Sequence, residues 1–243
     1  MYGWRSGVAG KIWKVDRMIT KLKQYLKRRQ KPVRFEDSGR WEPLRRGFGV
    51  EAGTPIDRWY IERFLKEHAS VIRGSVLEIA ESTYTDRFGT GVVSREILHY
   101  DPEFAAATII GDLTRPDTLP EGKIDCFICT QTFNFIFDVQ EAVRGAAKVL
   151  KSNGVLLGTV AGLSQISTYD HDRWGDFWRF TDQSVKRLLE REFREVRVQV
   201  FGNMLAVKAL LDGIVIEELP ERHLLECNDP DYQIIIGFRA RKR

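Results

Sequence analysis

The chain has 243 residues, enough for one large domain or two small ones, and 43% of them are hydrophobic, so a sizeable core can form. Three cysteines, no leader pattern and no apolar run near the roughly 18 residues of a membrane span predict a reducing, cytoplasmic setting. The net charge of +4 conceals an asymmetry: residues 1–34 hold 11 Lys and Arg against one acid, Asp16, and the rest of the chain is mildly acidic, so the body does not read as nucleic-acid-binding.

The basic arm has its own pattern. Ile12, Val15, Ile19, Leu22 and Leu26 follow 3-4-3-4 spacing and would line one face of a helix. Packing on the body or a second subunit, and peripheral contact with an anionic membrane, come ahead of nucleic-acid binding as its role. Pro32 and Pro43 break helices in the stretch that follows, which reads as a linker. The expected division is an arm and linker over 1–50 and one domain over 51–243.

From residue 54 the elements are orderly. Thr54 would cap a helix with Pro55 in its first turn and Ile56, Tyr60 and Phe64 on one face, ended by Gly74. A strand over 76–80 leads into a loop, Glu81 to Phe88, that has no glycine before Gly89. Strands follow near 95–100 and 108–111, and "KIDCFICTQTF" is a fully apolar strand. Cys126 and Cys129 lie three apart in it and point to opposite faces, as packed core thiols rather than a metal or redox pair. "VQEAVRGAAKVLKSNG" reads as a helix closed by Asn153-Gly154, "VLLGTV" as a strand, and "TDQSVKRLLEREF" as a helix capped by Thr181 or Asp182. "EVRVQVF" and "YQIIIGFRA" are the last strands. Apolar strands alternating with helices predict an α/β fold, a doubly wound, mostly parallel sheet covered on both faces.

Ligands bind such sheets outside the carboxyl ends of the strands. Those ends are Ala80-Glu81, Tyr100-Asp101, Gly111-Asp112 and Gln131-Thr132. Asp101 follows the first strand at the spacing of a ribose-binding acid, and is equally well read as a turn aspartate before Pro102.

These segments resemble the class I S-adenosylmethionine-dependent methyltransferases. "VLEIA" is similar to the strand before the family's G-x-G, "HYD" to its second-strand acidic end, "GDL" to its adenine-side motif, and "AAKVLKSNGVLLGTV" to its helix, turn and fifth strand. "GTPIDRWYIERFL", "YTDRFG", "DRWGDFWRFT" and "FGN" further resemble methyltransferase-like proteins encoded with glycosyltransferases in bacterial surface-polysaccharide clusters. The resemblance spans roughly residues 54–240. It implies a Rossmann-like sheet of seven strands with an antiparallel last strand, and S-adenosylmethionine as cofactor. The residues it places at the cofactor are Arg58, Tyr60, Glu78, Ala80, Glu81, Tyr84, Thr85, Asp101, Asp112, Leu113, Gln131 and Thr132.

The chemistry asks for positioning and, with a hydroxyl acceptor, a base near neutral pH. His171, flanked by Asp170 and Asp172, is the candidate base, with Asp172 or Asp170 orienting its ring; a surface histidine in a charged loop is the other reading. Trp174, Phe177 and Trp178 suit the apolar faces of sugar rings, or packing. No metal-ligand cluster stands out. The reading is O-methylation of a sugar or related small hydroxylated acceptor. The alternative is a non-catalytic partner or scaffold of a glycosyltransferase. A nicotinamide-dependent dehydrogenase is disfavoured by the missing phosphate-binding glycines.

Overall fold

A computed structural model describes residues 40–243 of the protein. The amphipathic stripe of residues 12–26 lies outside the described residues. Seven strands form one sheet in the order β3-β2-β1-β4-β5-β7-β6. They are β1 Gly74–Ile79, β2 Val92–His99, β3 Ile109–Ile110, β4 Ile124–Thr130, β5 Leu150–Ala161, β6 Phe193–Phe201 and β7 Ile235–Lys242. β1 to β5 pair in parallel, and β7 runs antiparallel to both β5 and β6.

Among the described residues, six α-helices accompany the sheet: α1 Ile56–Glu67, α2 Thr83–Phe88, α3 Val139–Val149, α4 Thr168–His171, α5 Asp182–Leu189 and α6 Met204–Leu211. Two apolar layers result. Ile56, Tyr60, Phe64, Ala206 and Leu210 from α1 and α6 pack with Val76, Cys126 and Ile128 on one face. Ala142, Val143, Ala146, Val185 and Leu189 from α3 and α5 pack with Leu77, Phe127 and Cys129 on the other. The two cysteines therefore project into opposite layers, both as free thiols whose pKa burial pushes up to about 12. α3 approaches the loop after β3 closely: a Cβ on Gly145 would lie 2.1 Å from the Leu113 carbonyl oxygen, so the helix can sit there only as glycine.

Four local expectations are corrected. Thr54 does not cap α1; its hydroxyl and N–H both donate to Glu217, and Pro55 occupies the cap position without a side-chain bond. Gly74, with φ +75, opens β1 instead of closing the helix. The segment 81–88 is largely helix, not loop. α3 ends at Val149, and Asn153, with φ 66, turns the chain within β5 rather than at the helix end. The register between β4 and β5 shifts at this point, between Ile124 and Cys126. Thr181 does cap α5, in a reciprocal box with Ser184. The "FGN" stretch also has a local cause: Asn203 caps α6, its side chain accepting from the Ala206 N–H.

Residues 40–50 lie against this domain. Arg45 makes a two-pronged pair with Glu218, at 2.7 and 2.6 Å, and also donates to the Gly213 carbonyl.

Candidate active site

In this strand order the chain reverses direction of growth between β1 and β4, which opens a crevice at their carboxyl ends. Both strands end there on a residue with left-handed backbone that is not glycine: Ala80 at φ 62 and Gln131 at φ 50. Such conformations cost on the order of 1–3 kcal/mol each and persist only where the surroundings impose them. Here the neighbouring strands do so. The Ala80 N–H donates to Leu98 O at 3.1 Å and the Gln131 N–H to Thr159 O at 2.7 Å. Ala80 thus supplies the tight strand-to-helix turn that a glycine would otherwise make.

The turn leads straight into α2, whose start is satisfied in an unusual way. No side chain at Ser82 caps it. Glu78, buried within β1, accepts from the Tyr84 N–H at 3.1 Å and the Thr85 N–H at 2.5 Å. Its carboxyl is raised above the ordinary value by burial, with the Thr85 and Tyr84 donors opposing. Tyr84 is also buried, and burial pushes its phenol up to about 12. Arg58 from α1 donates to that phenol oxygen at 2.6 Å and so ties α1 to α2 at the mouth of the crevice.

Beside the crevice lies a cavity of about 180 Å³ whose wall includes Asp57, Arg58, Gln131, Asn134, Asp170, Asp176 and Arg179. Its outer side is the loop 164–179. Asp176 organises that loop: it accepts from Arg179 at 2.5 and 2.9 Å and from the Ser167 N–H at 3.0 Å. Burial alone would raise the Asp176 pKa, but the Arg179 and Ser167 donors outweigh it and hold the carboxyl below its usual range. Asn134 fastens the loop's far end, donating to Trp178 O and accepting from the Phe177 and Trp178 N–H groups on its own carbonyl. The Trp174 indole N–H reaches Tyr100 Oη at 3.2 Å, so the loop touches the end of β2 across the crevice.

The residues predicted from sequence divide into three groups. Ala80, Glu81, Asp101, Gln131 and Thr132 stand at the carboxyl ends of β1, β2 and β4, with Arg58 and Tyr84 close by on α1 and α2. Asp101 uses one carboxylate oxygen on the Glu103 N–H, and its own N–H donates to His99 Nδ1. Thr132 donates to Thr130 O, and Asp112 accepts from Thr114 in a local turn. A second group belongs to the framework. Tyr60 is fully buried and donates its hydroxyl to Leu225 O, so it packs the core and has no polar atom to offer a ligand. Leu113 packs in the second core layer, and Glu78 and Thr85 hold the start of α2. The third group is the predicted base. His171 and Asp172 bond each other at 3.0 Å, but their side chains are 60% and 65% exposed and neither lines the cavity. Asp170, one residue earlier, does. Trp178 is not core either: its indole N–H donates to Ile136 O and Phe137 O at the surface.

Asp57 is among the cavity residues that escaped the sequence reading. Asp57 stands in the first turn of α1, inside the quoted "GTPIDR" run, where an acid is ordinarily explained by the helix dipole. Its Oδ1 accepts from the Arg58 N–H at 2.8 Å, and desolvation raises its pKa over the opposing effect of Arg58.

The sequence matches the methyltransferase-domain family over residues 92–158, from β2 into β5. The N-methyltransferase NodS from Bradyrhizobium japonicum WM9, solved with S-adenosyl-l-homocysteine, superposes with a TM-score of 0.50 over 92% of this chain and 98% of that one, at 12% identity. The fold is that of the class I methyltransferases. A methyltransferase solved with the Trm112 methyltransferase activator of Haloferax volcanii superposes equally well, at a TM-score of 0.50, 12% identity, and 76% and 90% coverage. A search of the curated proteins finds no match. In the methyltransferase fold, the crevice between β1 and β4 is the sheet's topological switch point, and the strained Ala80 and Gln131 flank it.

Proposed function

We propose that the protein is an S-adenosylmethionine-dependent methyltransferase that O-methylates a sugar or a related small hydroxylated acceptor. The observation that carries this reading is the paired left-handed backbone of Ala80 and Gln131 at the switch point, with the cavity opening beside it and sharing Gln131. The side chains present fit the cofactor. Ala80 brings only a methyl group to the turn. Asp101 keeps one carboxylate oxygen without a partner among the described residues for a ribose diol, and Glu81 is exposed beside the turn for an ammonium group. NodS, which shares the fold, is solved with the demethylated form of this cofactor.

Bound there, S-adenosylmethionine supplies a methyl group already activated by its sulfonium. The protein's part is to orient the acceptor, exclude water and take up a proton. A cavity of about 180 Å³ is below the ~300 Å³ of a typical drug-sized site, which favours one small ring over several. Its mixed wall, where Asp57, Gln131 and Asp170 stand among Phe48, Ile61 and Phe135, suits a molecule with hydroxyl groups and an apolar ring face, and exposed Tyr169, Trp174, Phe177 and Trp178 lie around the loop. The test is transfer of tritiated methyl from S-adenosylmethionine to a panel of methyl glycosides of common hexoses, 6-deoxyhexoses and aminohexoses. The reading expects labelled sugar; a protein that binds the cofactor but labels no member of the panel contradicts the acceptor class.

A further inference from the structure

Among the described residues, three carboxylates line the cavity, and they are not equivalent. Asp176 is neutralised by the two-pronged bond from Arg179 and accepts the Ser167 N–H as well. Its side chain is 0% exposed, and nothing of it is left for a ligand. Asp170 accepts the Ser167 hydroxyl and sits on the four-residue helix α4, at the outer wall. Asp57 differs from both. It stands on the long helix α1, whose Ile56, Tyr60 and Phe64 are fully buried, so its backbone is fixed by the core. Its Oδ1 is oriented by the Arg58 N–H, and Oδ2 has no protein partner among the described residues. The charged groups that share its cavity are Arg58, Asp170 and the Asp176–Arg179 pair. Arg58 is engaged with the Tyr84 hydroxyl rather than with Asp57 through its guanidinium.

We propose that Asp57 is the proton acceptor of the reaction, its free Oδ2 taking the hydroxyl proton of a sugar bound in the cavity. This rests on the methyltransferase reading above. The acceptor O–H bond breaks and the proton passes to Asp57 Oδ2. The oxygen's electron pair forms the new O–CH₃ bond, and the S–CH₃ bond breaks with its pair remaining on sulfur, leaving a neutral thioether. Desolvation assists, since it raises the carboxyl pKa and makes the ionised form a stronger base. The Asp176–Arg179 clasp fixes the loop 164–179 that forms the facing wall of the cavity.

The experiment compares wild type, Asp57→Asn, Asp57→Glu and His171→Ala. Asparagine keeps an oxygen for the Arg58 N–H, so the fold is retained. Three quantities are measured: S-adenosylhomocysteine affinity by calorimetry, methyl-glycoside binding by saturation-transfer NMR on the loaded protein, and tritiated methyl transfer against pH. The expected result is unchanged affinity for S-adenosylhomocysteine and retained glycoside binding in Asp57→Asn, with transfer reduced by about 100-fold or more. Wild-type transfer should rise with pH as Asp57 ionises, and that limb should be absent in Asp57→Asn. Asp57→Glu should recover part of the rate. His171→Ala should stay within about threefold of wild type, as expected for an exposed side chain. Transfer by Asp57→Asn at the wild-type rate, or an unaltered pH limb, overturns the assignment. Failure of wild type to bind S-adenosylhomocysteine would instead overturn the methyltransferase reading itself.

Discussion

Glu78 is where a single substitution tests how a glycine-free turn is stabilised. Its carboxylate accepts two buried backbone N–H groups at the start of α2, at 3.1 and 2.5 Å. A buried N–H left without an acceptor costs about 1–3 kcal/mol, so Glu78→Ala, which strips two of them, loses roughly 2–6 kcal/mol gross. Relief of the cost of burying a carboxylate offsets part of this, leaving a net loss of about 2–4 kcal/mol. For a domain of this size that lowers the melting temperature by about 4–16 °C. Glu78→Gln keeps one acceptor oxygen and should lose only about 1–2 kcal/mol. The pH dependence has a definite sign. The folded-state pKa is raised above the ordinary 4.5, so this group's contribution is fully present below that value and is lost as pH rises through the folded pKa. Glutamine does not titrate, so the gap between wild type and Glu78→Gln should be widest at acid pH and narrow towards neutrality. Urea unfolding followed by circular dichroism at several pH values measures this. A Glu78→Ala protein within about 0.5 kcal/mol of wild type would refute the claim that β1 caps α2.

Two further outcomes follow from the site. Asp101→Ala should weaken S-adenosylhomocysteine binding by about 10- to 150-fold, the equivalent of one charge-assisted bond from a ribose hydroxyl, with stability nearly unchanged; calorimetry reads both. Asp176→Asn should loosen the loop 164–179, seen as faster amide exchange at residues 167–178. Because the Asp176 pKa is held below the ordinary 3.8, wild type should keep the clasp above that value and lose it only as pH falls through the lowered pKa.

The sheet was legible because its strands are long apolar runs bounded by turns, and "IDCFICT" could be nothing but a central strand. The helix α2 was not, because its cap comes from Glu78, a strand residue five positions upstream, instead of from a Ser, Thr, Asp or Asn at its own N-terminus. Thr54 misled for the converse reason: it has the right residue type for a cap, but Glu217, remote in sequence, takes both its donors. Strand ends such as Ala80, Asp101 and Gln131 could be placed by counting, since the fold fixes where they face. Loop residues could not. His171 and Asp170 are adjacent in sequence, yet only Asp170 lines the cavity, and no periodicity in a four-residue helix decides between them. Tyr60 and Asp57 share α1, and their opposite fates, core and cavity, depend on which elements cover each face of that helix.

The most direct test is isothermal calorimetry of the purified protein with S-adenosylhomocysteine, with Gln131→Pro as a variant that cannot keep the left-handed turn at β4. The account predicts saturable binding of one ligand per chain to wild type, with a Kd in the range of about 1–100 μM, and loss of binding in the variant. No heat of binding to wild type at millimolar ligand would contradict it, and would leave the methyltransferase fold as a non-catalytic scaffold.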